Sequence, residues 1–182
     1  LGDTRYGAII TANGGGYSFL KSAAQGRFLR FRSNAVPGDL PGRTVYLRDE
    51  RTGEFWSNTW LPVRRPLDKA MYRARHGTGY TVVECEVSGI HTETTYFVPM
   101  GALYEIWRVR LTNRSAAKRS LRAFTYCEFA SHWSLAQDTV NLQYSQNVVL
   151  GRWNGDLASI VSNPNLPPPE SSHAYIGLAG AT

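Results

Sequence analysis

The chain contains short stretches in which apolar and polar residues alternate, separated by turn residues, and this pattern constrains its fold most strongly. The clearest stretch covers residues 81–87. Its apolar side chains, which fall at every second position, are Val83, Cys85 and Val87. Because successive side chains of a β-strand point to opposite faces, the stretch predicts a strand with one buried face. Ser88-Gly89 then forms a tight turn, and residues 90–98 return as the partner strand.

Five further stretches have strand character. Residues 43–48 and 54–57 flank a turn of charged residues and glycine, which predicts a hairpin. Residues 104–111 alternate again, and a polar connection leads to residues 121–129, the predicted partner of that strand. The apolar side chains on one face of the first of these two strands are Trp107, Val109 and Leu111. A last strand is predicted at residues 142–150.

No stretch shows the 3.6-residue periodicity of an amphipathic helix. Frequent strands joined by turns predict an all-β fold, a sandwich or a barrel, as a single domain over residues 1–182. Residues 163–170 are rich in proline and predict a loop, because proline cannot donate to a central β-ladder. Since the chain begins with Leu1 and ends within the start of another possible strand, we expect truncation at both ends.

The net charge of +6 comes mostly from arginine. The arginines are spread along the chain and often alternate, as Arg108 and Arg110 do, which is typical of the solvated face of a sheet. No recognised nucleic-acid-binding motif accompanies them, so the charge does not predict a nucleic-acid partner. No apolar run approaches the ~20 residues that span a bilayer, so no membrane partner is expected.

The two cysteines, Cys85 and Cys127, lie within predicted strands. We interpret them as buried free thiols, which favours a reducing compartment and a cytoplasmic location, although one disulfide stays possible from the sequence. The four histidines are widely separated, and no metal-type pair is present. Glu128 and Asp138 lie near aromatic and polar residues, but we interpret both as carboxylates satisfied by local hydrogen bonds rather than as general acids.

Two segments combine aromatic and amide side chains in a way that suits sugars. The first segment begins within the run of three glycines and covers residues 15–19 and 25–34. The second covers residues 131–138 and 141–144 and contains His, Trp, Gln, Asn and Tyr. Aromatic faces pack on the apolar side of a pyranose, while amides and carboxylates satisfy its hydroxyl groups. The alternative is that both segments pack against a neighbouring domain.

Six motifs of the chain occur in the order in which the cellobiose phosphorylase family, glycoside hydrolase family 94, has them. The first, Gly14-Gly15-Gly16-Tyr17-Ser18-Phe19, resembles the "GGYSF" motif of that family. The others are Arg43-Thr44-Val45-Tyr46-Leu47-Arg48-Asp49, Thr52-Gly53-Glu54-Phe55-Trp56-Ser57, Arg75-His76-Gly77-Thr78-Gly79-Tyr80, Gly89-Ile90 with Phe97-Val98-Pro99, and Glu105-Ile106-Trp107. The resemblance covers roughly residues 6–150.

The resemblance implies an antiparallel β-super-sandwich, similar to galactose mutarotase-like domains, at the N-terminus of a phosphorylase. In that family a following α/α-barrel carries the catalytic acid, so no catalytic residue is expected in this chain. The implied reaction is inverting phosphorolysis of a β-linked disaccharide, with inorganic phosphate as co-substrate and neither cofactor nor metal. The implied partners are the oligosaccharide substrate, the barrel domain and a second subunit in a homodimer.

The resemblance also implies four substrate-binding residues. Gln143 and Tyr144 occupy the place of a Gln-Arg pair near the acceptor sugar in cellobiose phosphorylases, and Tyr17 and Arg30 are the further candidates. Because a tyrosine cannot replace the charge-assisted bonds of an arginine, cellobiose is not favoured over the alternatives, which are cellobionic acid or another acceptor handled by this family. A stand-alone carbohydrate-binding module and a purely structural domain are the alternative functions.

Overall fold

The computed structural model describes residues 1–24, 26, 27, 29, 42–128, 150–153, 158–162 and 173–177, the last three ranges as backbone only. These residues form twelve β-strands and contain no helix, which confirms the all-β class. The strands are β1 (Tyr6–Ala8), β2 (Ser18–Leu20), β3 (Arg43–Asp49), β4 (Phe55–Ser57), β5 (Ala70–His76), β6 (Tyr80–Val87), β7 (Ile90–Phe97), β8 (Ile106–Asn113), β9 (Leu121–Cys127), β10 (Leu150–Trp153), β11 (Ala158–Ser162) and β12 (His173–Gly177).

Every strand pair in this part of the chain is antiparallel. The larger sheets have the strand orders β5-β6-β7-β8 and β4-β3-β9, and two smaller sheets have the orders β1-β2 and β10-β11-β12. The two predicted hairpins are confirmed as β3–β4 and β6–β7. Of the strand predicted at residues 142–150, only Leu150 lies within the described residues, where β10 begins. The predicted loop at residues 163–170 lies outside them.

The β6 strand buries the face that its sequence predicts. Val83, Cys85 and Val87 are at most 2% exposed, whereas Glu84 and Glu86 on the other face are half-buried. Sequence alternation therefore decided which face packs inward. The same holds at the edge strand β8 for its charged face, where Arg108 and Arg110 are exposed.

The predicted pairing of β9 with β8 is wrong. Within the described residues β8 pairs with β7, and β9 pairs with β3 along its whole length, with Phe124 opposite Tyr46. The polar connection therefore crosses between sheets instead of closing a hairpin. It is held there because Arg119 donates from Nε to Asp49 Oδ2 at 2.5 Å and from Nη1 to the Ser88 carbonyl at 2.8 Å.

Two apolar clusters form the described core. One joins both main sheets, and its buried members are Leu47, Trp56, Ala70, Cys85, Val87 and Ile90. The other packs the β1 strand onto β6 and β7, and its buried members are Tyr6, Ala8, Ile10, Val83, Tyr96 and Val98. Removing a side chain as large as Trp56 from such a core costs about 3–5 kcal/mol.

Strands β8 and β9 are less covered than the sequence predicts. Trp107 and Val109 are half-buried, but Leu111 on the same face is 41% exposed, and Phe124 and Tyr126 on β9 are also exposed. Cys85 and Cys127 are both free, as predicted, but only Cys85 is fully buried, whereas Cys127 is half-buried. Among the residues described, no helix has the length and apolar character that crossing a membrane requires.

Candidate functional site: the glycine-rich loop and its polar support

The three consecutive glycines lie in the loop that joins β1 to β2. Gly14 and Gly16 have φ angles of +72° and +96°, a region that residues with a side chain rarely adopt. A Cβ atom at Gly16 would lie 2.1 Å from the carbonyl oxygen of Ile9, which is closer than any real contact. The loop is therefore tightly folded against Ile9, the residue that follows β1, as the three glycines predict.

The loop packs on Tyr96 of β7 and on Thr59, which lies just after β4. A Cβ atom at Gly14 would lie 3.3 Å from Thr59 Cγ2 and 3.5 Å from Tyr96 Oη. That hydroxyl accepts a hydrogen bond from Asn58 Nδ2 at 2.9 Å, while Asn58 Oδ1 accepts from the Val45 amide at 3.1 Å. Burial raises the pKa of Tyr96 to about 12, so its hydroxyl is neutral beneath the loop.

Below the end of the loop, Ser18 bridges two buried charged groups. Its hydroxyl donates to Glu105 Oε2 at 2.5 Å and accepts from Arg43 Nη2 at 3.0 Å. The guanidinium and the carboxylate also form an ion pair, with Nη1 and Oε1 3.3 Å apart. Arg43 comes from the start of β3 and Glu105 from the residue before β8, so the three groups join three separate elements.

Two aromatic side chains complete the surroundings of Glu105. Trp107 Nε1 donates to Oε1 at 2.7 Å, and the Tyr6 hydroxyl donates to Oε2 at 3.3 Å. Burial and the nearby carboxylate raise the pKa of Tyr6, which keeps the phenol protonated as a donor. We name the five residues that meet here the Glu105 cluster; they are Tyr6, Ser18, Arg43, Glu105 and Trp107.

Tyr17 is the one predicted substrate-binding residue within the described part of the chain. Its side chain is half-buried, and its ring lies 4.0 Å from the Arg27 guanidinium carbon and 6.0 Å from the Phe19 ring centroid. Its carbonyl accepts from the Ile9 amide at 2.9 Å. Arg27 thus occupies one side of the Tyr17 ring.

Three other predicted site residues, Arg30, Gln143 and Tyr144, lie outside the described residues, as does Asp138. The grouping of these three residues with Tyr17 around a sugar therefore stays a prediction. Glu128, which the sequence marks as a satisfied carboxylate, accepts a hydrogen bond from the Tyr126 hydroxyl at 3.4 Å. Its backbone amide donates to the Gly42 carbonyl at 2.7 Å.

The Glu105 cluster was not predicted, although four of its five members stand in quoted motifs, all except Tyr6. Arg43 opens one motif and Glu105 opens another. Buried charged residues are rare unless paired, but the sequence does not reveal which of its arginines and carboxylates are buried. Their pairing depends on the way β3 and β8 are brought together by the fold.

The described residues around this loop contain no candidate metal centre. No group of three or more His, Cys, Asp or Glu side chains suited to a metal ion occurs in the part of the chain that the structure describes. A surface groove of about 620 Å³ lies along β5 and the β6–β7 turn, where Leu67, Met71, Tyr72 and Glu86 line it. It contains none of the predicted site residues.

Comparison with known families gives a match over the whole chain. Residues 1–182 match the family described as "Glycosyl hydrolase 94, supersandwich domain". An N,N'-diacetylchitobiose phosphorylase of Vibrio proteolyticus is 43% identical over 146 residues, which are 80% of this chain and 18% of that protein. A solabiose phosphorylase of Paenibacillus borealis is 36% identical over 129 residues, which are 71% of this chain and 15% of that protein.

A cellobionic acid phosphorylase of Neurospora crassa is 35% identical over 86 residues, which are 47% of this chain and 11% of that protein. The chain thus spans at most 18% of the length of these three curated relatives. The shared segment corresponds to a domain rather than to a whole enzyme.

Proposed function

This chain belongs to the family of glycosyl hydrolase 94 supersandwich domains, and from that premise we propose that it is the N-terminal sandwich domain of an inverting disaccharide phosphorylase. The match over residues 1–182, together with relatives named as phosphorylases, is the observation that carries the proposal. The catalytic acid is assigned to polypeptide outside this chain. The domain itself is expected to be inactive.

In the proposed reaction a phosphate oxygen attacks the anomeric carbon of a β-linked disaccharide. The glycosidic C–O bond breaks as the new bond forms, and a protein carboxylic acid protonates the departing oxygen. Because phosphate is itself the nucleophile, a single carboxylic acid is sufficient, and the product is an α-sugar 1-phosphate. Inorganic phosphate is a co-substrate, and we propose that the protein needs neither an organic cofactor nor a metal.

For the substrate, we propose N,N'-diacetylchitobiose ahead of cellobiose and cellobionic acid. Two relatives named for it are 43% and 42% identical over 80% of this chain. The relative named for cellobionic acid matches only 47% of the chain at 35% identity. The presence of Tyr144 in place of an arginine also supports an acceptor other than cellobiose.

The role proposed for this domain is to border the acceptor-sugar subsite. Tyr17 supports it, because the ring is half-buried beside a rigid loop rather than in the core. Gln143, Tyr144 and Arg30 are proposed as further contacts. Such a subsite is shared with the absent polypeptide, so the domain alone is expected to bind sugars weakly.

An exposed apolar surface supports packing against further polypeptide, the barrel domain or a second subunit of a homodimer. Met100, Leu103 and Tyr104 are 87%, 55% and 57% exposed on the loop before β8. Asp3 and Arg5 hold that loop through hydrogen bonds to the Gly101 amide and carbonyl. Clustered exposed side chains of this kind mark interaction surfaces.

We further propose a cytoplasmic location, in keeping with the two free thiols.

The test is to express the complete coding sequence that contains this chain and incubate the product with inorganic phosphate and each of the three disaccharides. Formation of a sugar 1-phosphate from N,N'-diacetylchitobiose is expected, and none from the 182-residue chain. A folded full-length protein that releases no sugar phosphate from any of them would contradict the proposal. Saturable binding of the disaccharide to the chain alone, followed by tryptophan fluorescence, would favour a stand-alone binding module instead.

A further inference from the structure

We propose that Glu105 is a positioning residue for sugar binding, which acts by fixing Ser18 and thereby the adjacent Tyr17. This inference rests on the proposed function, because it takes Tyr17 to contact the disaccharide. It adds a residue that touches no sugar itself. The carboxylate lies under the loop, 9% exposed, and its partners are protein groups.

The first step is that the glycine-rich loop is held at both ends. At its N-terminal end the Ile9 amide donates to the Tyr17 carbonyl at 2.9 Å. At its C-terminal end the Ser18 hydroxyl is held between Glu105 and Arg43 at 2.5 Å and 3.0 Å. Tyr17 is therefore flanked by a backbone bond and by an adjacent side chain with no exposed surface.

The second step is that Glu105 contacts all four other residues of the Glu105 cluster. Its two oxygens accept from the side chains of Ser18, Trp107 and Tyr6 and face the Arg43 guanidinium. Each donor comes from a different part of the chain, so the carboxylate sets their mutual positions. A glutamine at position 105 would have the same shape but only one acceptor oxygen. Its NH₂ group would face donors that now bond to a carboxylate oxygen, and those hydrogen bonds would be lost.

The third step concerns the consequence for the sugar. A ring displaced by about 1 Å loses much of its contact with a bound ligand, and such a loss affects the substrate and the transition state alike when the contact is remote from the reacting atoms. The KM for the disaccharide should rise while kcat is little changed. The KM for phosphate should not move, because the phosphate site is assigned to polypeptide outside this chain.

The chain offers a matched control at the other end of the same strand. Asp49 ends β3 and pairs with Arg119, and the two side chains are 0% and 9% exposed, as those of Arg43 and Glu105 are. Both Glu105→Gln and Asp49→Asn remove one buried charge and keep the side-chain shape. Both variants should therefore lose stability to a similar extent. Only Glu105→Gln should also have weaker sugar binding.

The experiment measures kcat and both KM values of the full-length protein with N,N'-diacetylchitobiose and inorganic phosphate. Glu105→Gln and Ser18→Ala are expected to raise the disaccharide KM at least fivefold with kcat within twofold. Asp49→Asn is expected to leave all three constants within twofold. Hydrogen–deuterium exchange of residues 9–18 should be faster in the two cluster variants and unchanged in the control.

An active protein whose disaccharide KM is unchanged in both cluster variants would overturn the inference and leave the proposed function intact. Equal KM changes in Asp49→Asn would also overturn it, since they would reflect stability alone. If Glu105→Gln does not fold, Ser18→Ala decides, because it removes one hydroxyl and leaves the ion pair in place. A folded wild-type protein without phosphorolysis would overturn the proposed function and the sugar-binding part of this inference together.

Discussion

Arg43 and Glu105 form an ion pair in which Nη1 and Oε1 are 3.3 Å apart, the arginine side chain is fully buried and the glutamate is 9% exposed. The pair joins the first residue of β3 to the residue before β8 and so links the two larger sheets. Burying two charges is costly, but once they are paired, removal of one leaves the other uncompensated. Neither residue can therefore be replaced alone without a large loss.

We expect Arg43→Met to lower the free energy of unfolding of the chain by about 3–5 kcal/mol, because it leaves the Glu105 carboxylate buried without its counter-charge. Urea denaturation at pH 7 measures the loss. The control is Arg110→Met, at an exposed pair with Glu93, which should cost at most about 1 kcal/mol. Similar losses in the two variants would contradict the prediction.

We expect Asp49 to make the free energy of unfolding depend on pH in the acid range. Burial alone would raise the pKa of Asp49, but hydrogen bonds from the Arg119 side chain and from the amides of Arg51 and Thr52 outweigh it and lower the pKa below its usual 3.8. A lowered carboxyl pKa stabilises the fold at a pH above the unfolded value, and this stabilisation is lost as the pH falls through the folded pKa.

The measurement is the free energy of unfolding between pH 7 and pH 2. Wild-type stability should fall below about pH 4, and Asp49→Asn should be less stable at pH 7 but show a shallower decline in that acid range. Two curves that run parallel over the whole range would show that Asp49 titrates alike in the folded and unfolded chain.

Sequence patterning predicted the strands better than their partners. Val83, Cys85 and Val87 alternate with glutamates, and alternation reports local burial directly. The pairing of β9 with β3 instead brings together residues far apart in sequence, such as Arg119 and Asp49, and no local pattern encodes that contact. The sequence therefore fixes which side chains face inward more reliably than it fixes strand order.

The candidate site was predictable only in part for a similar reason. The run of three glycines predicted a tight loop, and the close approach of the Gly16 backbone to the Ile9 carbonyl confirms it. The support beneath the loop comes from Arg43 and Glu105, which are distant in sequence and look like ordinary surface charges there. Their burial follows from sheet packing, which is a property of the whole fold.

Both thiols are expected to be unreactive in the folded chain. Burial raises the pKa of Cys85 to about 11, and burial together with the nearby Glu105 carboxylate raises that of Cys127 to about 12. Since the thiolate is the reactive species, neither thiol should react quickly with a disulfide reagent at pH 8. With a chromogenic aromatic disulfide, absorbance from the released thiolate measures labelling of the two cysteines. The absorbance should rise slowly for the folded chain in buffer and reach its final value within minutes in guanidinium chloride. Rapid labelling of one thiol under native conditions would contradict this.

Gly16→Ala and Gly53→Ala separate backbone strain from steric overlap. Both glycines have positive φ angles, +96° and +71°, but a Cβ atom at Gly53 meets no atom within 4 Å, whereas one at Gly16 lies 2.1 Å from the Ile9 carbonyl oxygen. Gly53→Ala should cost about 1–2 kcal/mol, the strain of a left-handed residue. Gly16→Ala should cost about 3 kcal/mol or more, because the loop must move as well. Denaturant unfolding of both variants measures the difference, and equal losses would mean that the loop relaxes freely and does not hold Tyr17 in place.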